Sequence, residues 1–229
     1  MGLLNEQQIS MIRLWELPAD LAVDKPRVQV KRQTMSRLFD EFITDPALRD
    51  MSNQDRGYYK NNAPGYEKLQ LLFSVGANNP QARKLYGQVI VQNEPEPLVK
   101  FRRTIHNVYV LRYFKEYFGD GKVKGLRLAG VGNDKAVAYT NFFILSQYKD
   151  GEQVMIDRLA PEHSLLLQWG LPRELAIYPA PEVPGWKPFF ADTDADRYQD
   201  YLAWIDSLYK NAGDYGIDYQ WITAMMGSE

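Results

Sequence analysis

The chain has 229 residues, carries 27 basic against 29 acidic side chains, and contains no cysteine and two histidines. A formal net charge of -2 gives no basic excess for a nucleic acid or an anionic membrane surface. The lack of cysteine excludes disulfides, thiolate nucleophiles, thiolate metal ligands and thioether attachment of a cofactor.

In chain order, Asn5-Glu6-Gln7-Gln8 has the form of a capping box and predicts a short helix through Ile9, Ile12, Leu14 and Trp15 before Pro18. Ala19 to Val30, with Pro26, reads as an extended linker. Met35, Leu38, Phe39 and Phe42 recur at three and four and predict a helix over 33–43. Asp45-Pro46 starts a further helical turn, and 51–66 reads as a short helix and a loop. Glu67 to Val75 predicts a helix closed by Gly76, and 81–88 another short one.

After the proline pair Pro95 and Pro97, Leu98 to Phe118 predicts a long helix that Gly119 ends. Lys122 to Leu128 suits a strand or hairpin arm, and Asn133 or Asp134 caps a helix through Tyr148. Pro161 to Trp169 reads as a short helix, 177–188 as a proline-rich loop, and 192–210 as an amphipathic helix. The reading is a mainly α fold with long ordered loops and little β. It divides into an N-terminal helical region, 1–92, and a second region, 93–229, with one continuous unit as the alternative. No uncharged apolar run of about 18 residues occurs, so no membrane-spanning helix is expected. The N-terminus has no basic stretch leading into an apolar one, so no signal peptide is expected.

Several blocks, in order, carry a resemblance. They are Ile12-Arg13-Leu14-Trp15-Glu16, Pro26-Arg27-Val28, Phe101 to His106, and Ala138-Tyr139-Thr140-Asn141-Phe142. Ser164 to Gln168 with Gly170-Leu171-Pro172-Arg173, Pro184 to Pro188, and Arg197 through Ile205 complete the set. Together they resemble a family of c-type-cytochrome-like proteins of planctomycete bacteria, over nearly the whole chain. The resemblance implies a cytochrome c-like helical domain and a periplasmic setting. It also implies a haem-attachment motif, two cysteines followed by His-Gly, between the His106 and Tyr139 blocks. Here that place reads Tyr113-Phe114-Lys115-Glu116-Tyr117-Phe118-Gly119. The His-Pro that the family carries in its proline-rich loop corresponds to Tyr178-Pro179-Ala180-Pro181.

Covalent haem needs two thiols and an adjacent imidazole, so haem c is excluded. The expectation is a pseudo-cytochrome that has lost its haem, its former pocket packed by Tyr113, Phe114, Tyr117 and Phe118, with Ala180 beside them in the former haem-attachment region. It would act without catalysis as a scaffold or protein-binding subunit, with a protein partner or a second copy and no cofactor. One alternative is a non-covalent, b-type haem electron-transfer protein using His106, since imidazole suits iron. Another is a carbohydrate-binding or hydrolytic module whose Tyr and Trp side chains stack on sugars.

The remaining candidates have ordinary readings beside the functional ones. His106 is either a ligand or a core histidine satisfied by a backbone carbonyl. His163 follows Pro161-Glu162, and two histidines this far apart give no metal-binding spacing. Asp192, Asp194 and Asp196 alternate like a calcium loop, but Arg197 and Ala203 stand where glycine and glutamate are needed, so helix capping is the expectation. Gly130-Val131-Gly132-Asn133-Asp134 reads as a turn rather than half a phosphate loop, and Ser164 lacks a nucleophile-elbow setting. No catalytic residue and no metal site is assigned.

Overall fold

Helix α1 (Glu6–Trp15) begins with the capping box that the sequence offers. The Gln8 amide N–H donates to Asn5 Oδ1 at 3.0 Å, and Gln8 Oε1 accepts from the Asn5 N–H at 2.9 Å. Two donors that the first helical turn leaves free are thereby satisfied. The computed structural model describes residues 2–18, 20–130, 134–210 and 215–219. These residues are mainly helical, as the periodicity predicts, with two small two-stranded sheets. None of the described helices is long and apolar enough to cross a membrane. The chain forms two compact units, one of residues 10–95 and one of residues 1–9 with 96–229, so the division falls within α1.

In the unit of residues 10–95, the stretch read as a linker is structured. Asp20 caps a short helix, α2 (Leu21–Asp24), accepting from the N–H groups of Ala22 and Val23. Strand β1 (Val28–Val30) then pairs antiparallel with β2 (Val89–Val91), Val28 opposite Val91 and Val30 opposite Val89. These four valines are buried while Gln29 and Ile90 face out, the period of two that a half-buried ladder needs. Helix α3 (Arg32–Glu41) buries Met35, Leu38 and Phe39 in the same core. Helix α4 (Asn53–Asn61) has a second capping box, Ser52 with Asp55.

Helix α5 (Gly65–Asn78) starts one residue after Pro64 and does not stop at Gly76. Gly76 lies inside it because the Tyr86 ring packs there: a Cβ would stand 2.0 Å from the Tyr86 hydroxyl oxygen. A 3₁₀ helix, Pro80–Gln88, delivers that ring. Trp15, Phe73 and Tyr86 then form a mutually contacting aromatic trio, with centroids 5.1–6.1 Å apart.

In the other unit the centre is one continuous helical run. It consists of α6 (Glu96–Lys100), a π-helical segment (Phe101–Phe114) and α7 (Lys115–Phe118). Residues 122–128 form no strand; a single bridge joins Asp120 and Arg127. Helix α8 (Lys135–Gln147), capped by Asp134, buries every side chain from Val137 to Leu145. A hairpin that periodicity did not reveal, β3 (Lys149–Asp150) with β4 (Gln153–Val154), turns at Gly151, whose φ of 61° favours glycine. The predicted helix over 161–169 divides into a 3₁₀ turn (Pro161–His163) and α9 (Leu165–Gln168). Helix α10 (Asp196–Asp206) is shorter than expected. Asp192 accepts from the Asp194 N–H ahead of it, and Ala195 occupies the cap position with no side-chain bond.

Candidate functional site

The run from Phe101 to Phe118 shows why this helix is wide. Its buried positions are Phe101, Ile105, His106, Tyr109, Val110, Tyr113, Phe114 and Phe118. They form two rows at intervals of four, 101-105-109-113 and 106-110-114-118, whereas an α-helix turns once per about 3.6. An α-helix would carry this stripe steadily round its axis. The i→i+5 bonding of a π-helix, seen where the Lys115 N–H donates to the Val110 carbonyl, keeps it on one face. Such segments are uncommon and concentrate at functional sites.

Near its N-terminal end, that face presents His106, fully buried, to Asn141 of α8. Asn141 is itself fixed by the backbone. Its Oδ1 accepts the Ala129 N–H at 2.6 Å, so Nδ2 must face the imidazole, 3.0 Å from His106 Nε2. An amide N–H can donate only to a lone pair, so Nε2 is the acceptor and the proton of the neutral ring sits on Nδ1. Nδ1 is buried and makes no hydrogen bond. Burial is the main cause that lowers the His106 pKa to about 4, partly offset by the neighbouring Asn107 amide and reinforced by Lys115. Phe101 lies against the ring with centroids 5.6 Å apart, and in turn stacks on Trp204, whose indole N–H donates to the Pro97 carbonyl. The imidazole is thus held in one tautomer, with the Nε2 lone pair engaged by Asn141.

Further along, Tyr109, Tyr113, Phe114 and Phe118 enter a large aromatic cluster. Tyr113 contacts Tyr117 at 5.1 Å and Phe118 at 6.5 Å, and Phe114 stacks on Trp169 at 5.8 Å. The end of the proline-rich loop closes over them: Phe189 lies 4.5 Å from Tyr109 and 5.1 Å from Tyr113. The Tyr113 hydroxyl donates to the Lys187 carbonyl at 2.8 Å, and the Tyr109 hydroxyl to the Leu166 carbonyl. Burial raises the pKa of both hydroxyls, and it pushes Tyr201, which packs on Tyr109, up to about 12. All three hydroxyls are neutral at ordinary pH, and those of Tyr109 and Tyr113 are donors. Gly170 makes this closure possible. Its carbonyl accepts the N–H groups of Phe189 and Phe190, and a Cβ there would stand 2.6 Å from both Phe190 and the Tyr109 hydroxyl.

Of the candidates read from sequence, Tyr113, Tyr117 and Phe118 are therefore in ring contact with one another. His106 belongs to a different group, with Phe101 and Asn141. Ala180 is buried in the 177–188 loop. That loop is tied down by Gln168, whose Oε1 accepts from Ile177 and Tyr178. Periodicity did not single out Asn141, Tyr109, Trp169 or Phe189; the interval of four along 101-105-109-113 is the signal that could have found Tyr109.

The other motifs are structural. Ser164 Oγ accepts the Asp157 N–H at 2.8 Å and donates to the carbonyl of the same residue, and among the described residues no base bonds to it. His163 is partly exposed beside the Tyr178 ring. Residues 131–133 of the glycine-containing turn lie outside the described residues, and Asp134 caps α8. Among the described residues no three His, Asp or Glu side chains are grouped to hold a metal ion.

What fold and site define is a mainly helical protein with an aromatic core built on a π-helical segment. The chain matches no protein-family model, no curated protein and no solved structure.

Proposed function

We propose that this protein is a haem-free relative of c-type cytochromes, acting without catalysis as a scaffold or protein-binding subunit. The observation that carries this reading is the aromatic cluster. Tyr113, Phe114, Tyr117 and Phe118 occupy the stretch where the resembling family attaches haem, and Trp169, Phe189 and Tyr109 pack against them. An emptied apolar pocket costs about 24 cal/mol per Å³ of cavity, so loss of a cofactor favours large side chains in its place. The engagement of His106 Nε2 by Asn141 supports the same reading, because that lone pair is the one an iron would need.

A binding role is supported by apolar side chains that loops of this unit expose. Leu159 is 84 % exposed, Ile177 57 % and Leu175 47 %. Leu159 is presented firmly, since Asp157 Oδ1 accepts from both the Leu159 and Ala160 N–H groups at 2.9 Å. The test is the absorption spectrum and iron content of protein purified from haem-sufficient cells. The expected result is a protein band alone and no stoichiometric iron. A Soret band with one iron per chain would overturn the reading.

A further inference from the structure

A second constellation lies in the unit of residues 10–95, where α4 meets α5, and it is independent of any reading of the haem region. Tyr58 and Tyr59 stand on α4, and Tyr66 and Glu67 on the first turn of α5. Both carboxylate oxygens of Glu67 are engaged by tyrosines: Tyr58 donates to Oε2 at 3.0 Å and Tyr66 to Oε1 at 3.2 Å. The Tyr58 and Tyr59 rings meet edge to face, with centroids 5.6 Å apart at 75°. Tyr58 is exposed, while Tyr59, Tyr66 and Glu67 are half-buried.

The corner that carries these residues is rigid. The Tyr58 carbonyl accepts from both the Asn62 and Ala63 N–H groups, at 2.7 and 2.9 Å, which closes α4 onto the start of α5. Gly65 then packs so tightly on β1 that a Cβ would stand 1.8 Å from the Val28 carbonyl oxygen. The Ser52–Asp55 capping box pins the other end of α4. These side chains are placed in advance, so a ligand would meet little ordering cost here.

Electrostatics choose the ligand. Among the described residues Glu67 makes no ion pair. The nearest basic side chain in sequence on α4, Lys60, is turned to the Phe39 ring, 5.6 Å from its centroid. Burial is the main cause that raises the Tyr59 pKa, and the carboxylates of Glu67 and Asp55 raise it further. The Tyr58 and Tyr66 hydroxyls are spent on Glu67, so the corner offers a ligand partly exposed rings beside a carboxylate that has no ion pair among the described residues, with Lys68 buried next to it and the Arg56 Nε buried on α4. Ring faces carry negative potential and attract a cation, most strongly one too bulky and poorly hydrated to prefer water. A sugar would instead want free hydroxyl and amide partners.

We propose that the corner between α4 and α5 binds an organic cation of the quaternary-ammonium class, seated on Tyr58, Tyr59 and Tyr66 beside Glu67. The test is a titration of the whole chain with choline, followed by NMR of the tyrosine ring resonances. Its controls are 3,3-dimethylbutanol, the uncharged isostere, and sodium chloride at matched ionic strength. The expected result is a saturable shift of the Tyr58, Tyr59 and Tyr66 rings with choline alone. Glu67→Gln should weaken that binding about fivefold, the size of a partly exposed charge pair. Tyr58→Ala should weaken it about threefold, as one exposed cation–π contact would. Glu67→Gln keeps size; its oxygen still accepts from one tyrosine hydroxyl while its NH2 group must donate to the other, and an unchanged circular dichroism spectrum separates lost binding from lost fold. Equal shifts with the uncharged isostere, shifts with a neutral disaccharide in place of choline, or no saturable shift at all would each overturn the proposal.

Discussion

Replacing Asn141 by alanine removes a side chain that satisfies two buried groups at once. In the native protein its Oδ1 takes the Ala129 N–H at 2.6 Å and its Nδ2 serves His106 Nε2 at 3.0 Å. Both Asn141 and His106 are fully buried, so water does not step in to replace either bond. Each orphaned group costs about 1–3 kcal/mol, and the two together about 2–6 kcal/mol. Against the total stability of about 5–15 kcal/mol typical of a domain, that is a large fraction. Urea unfolding followed by tryptophan fluorescence reads the loss. At a slope of about 2 kcal/mol per M, a loss of about 4 kcal/mol moves the midpoint down by about 2 M with the slope unchanged. A double-mutant cycle with His106→Leu isolates the shared bond, with an expected coupling of about 0.5–3 kcal/mol. A loss below about 1 kcal/mol, or simple additivity of the two substitutions, would refute the proposed tautomer and its partner.

The same histidine makes stability depend on pH. Its folded pKa of about 4 lies below the ordinary 6.5, so the unfolded chain takes up the proton first as pH falls. Its contribution is complete above pH 6.5 and is lost as pH falls from 6.5 to about 4, by about 3 kcal/mol in all. His106→Gln should flatten that part of the stability profile, most clearly above pH 5 where few carboxylates titrate. Phe114→Ala, at a fully buried ring stacked on Trp169, should cost about 3–5 kcal/mol in chemical denaturation. Gly76→Ala should drive the Tyr86 ring out of place and destabilise the unit of residues 10–95 by about 1–3 kcal/mol, reported by Trp15 emission.

Much of the helical framework could be read from local chemistry. The Asn5–Gln8 box and the Asp134 cap open their helices as the residues imply, because capping needs only neighbours in sequence. The failures involve partners far along the chain. Pairing of Val28–Val30 with Val89–Val91 is invisible locally, since three residues carry too short an alternation to distinguish a strand from a linker. Gly76 looks like a helix terminator until the Tyr86 ring is placed on it. Gly170 looks like a stop before Leu171-Pro172, yet its work is to admit Phe190 and the Tyr109 hydroxyl. The aspartates at 192 and 194 suggested a helix cap but build a turn in front of one. The aromatic run at 113–118 could be read as a packed core segment. Its widened helix has its only local trace in two rows of buried positions at a steady interval of four.

Whether the aromatic cluster makes a self-sufficient core is tested most directly by unfolding the protein with and without added haemin. A ligand of the folded state raises stability by about 2.7 kcal/mol when present at a hundred times its dissociation constant. The expected result is a Tm that excess haemin leaves unchanged, with no Soret band of a bound haem. A Tm that climbs with haemin concentration, alongside such a band that His106→Gln abolishes, would contradict a haem-free core.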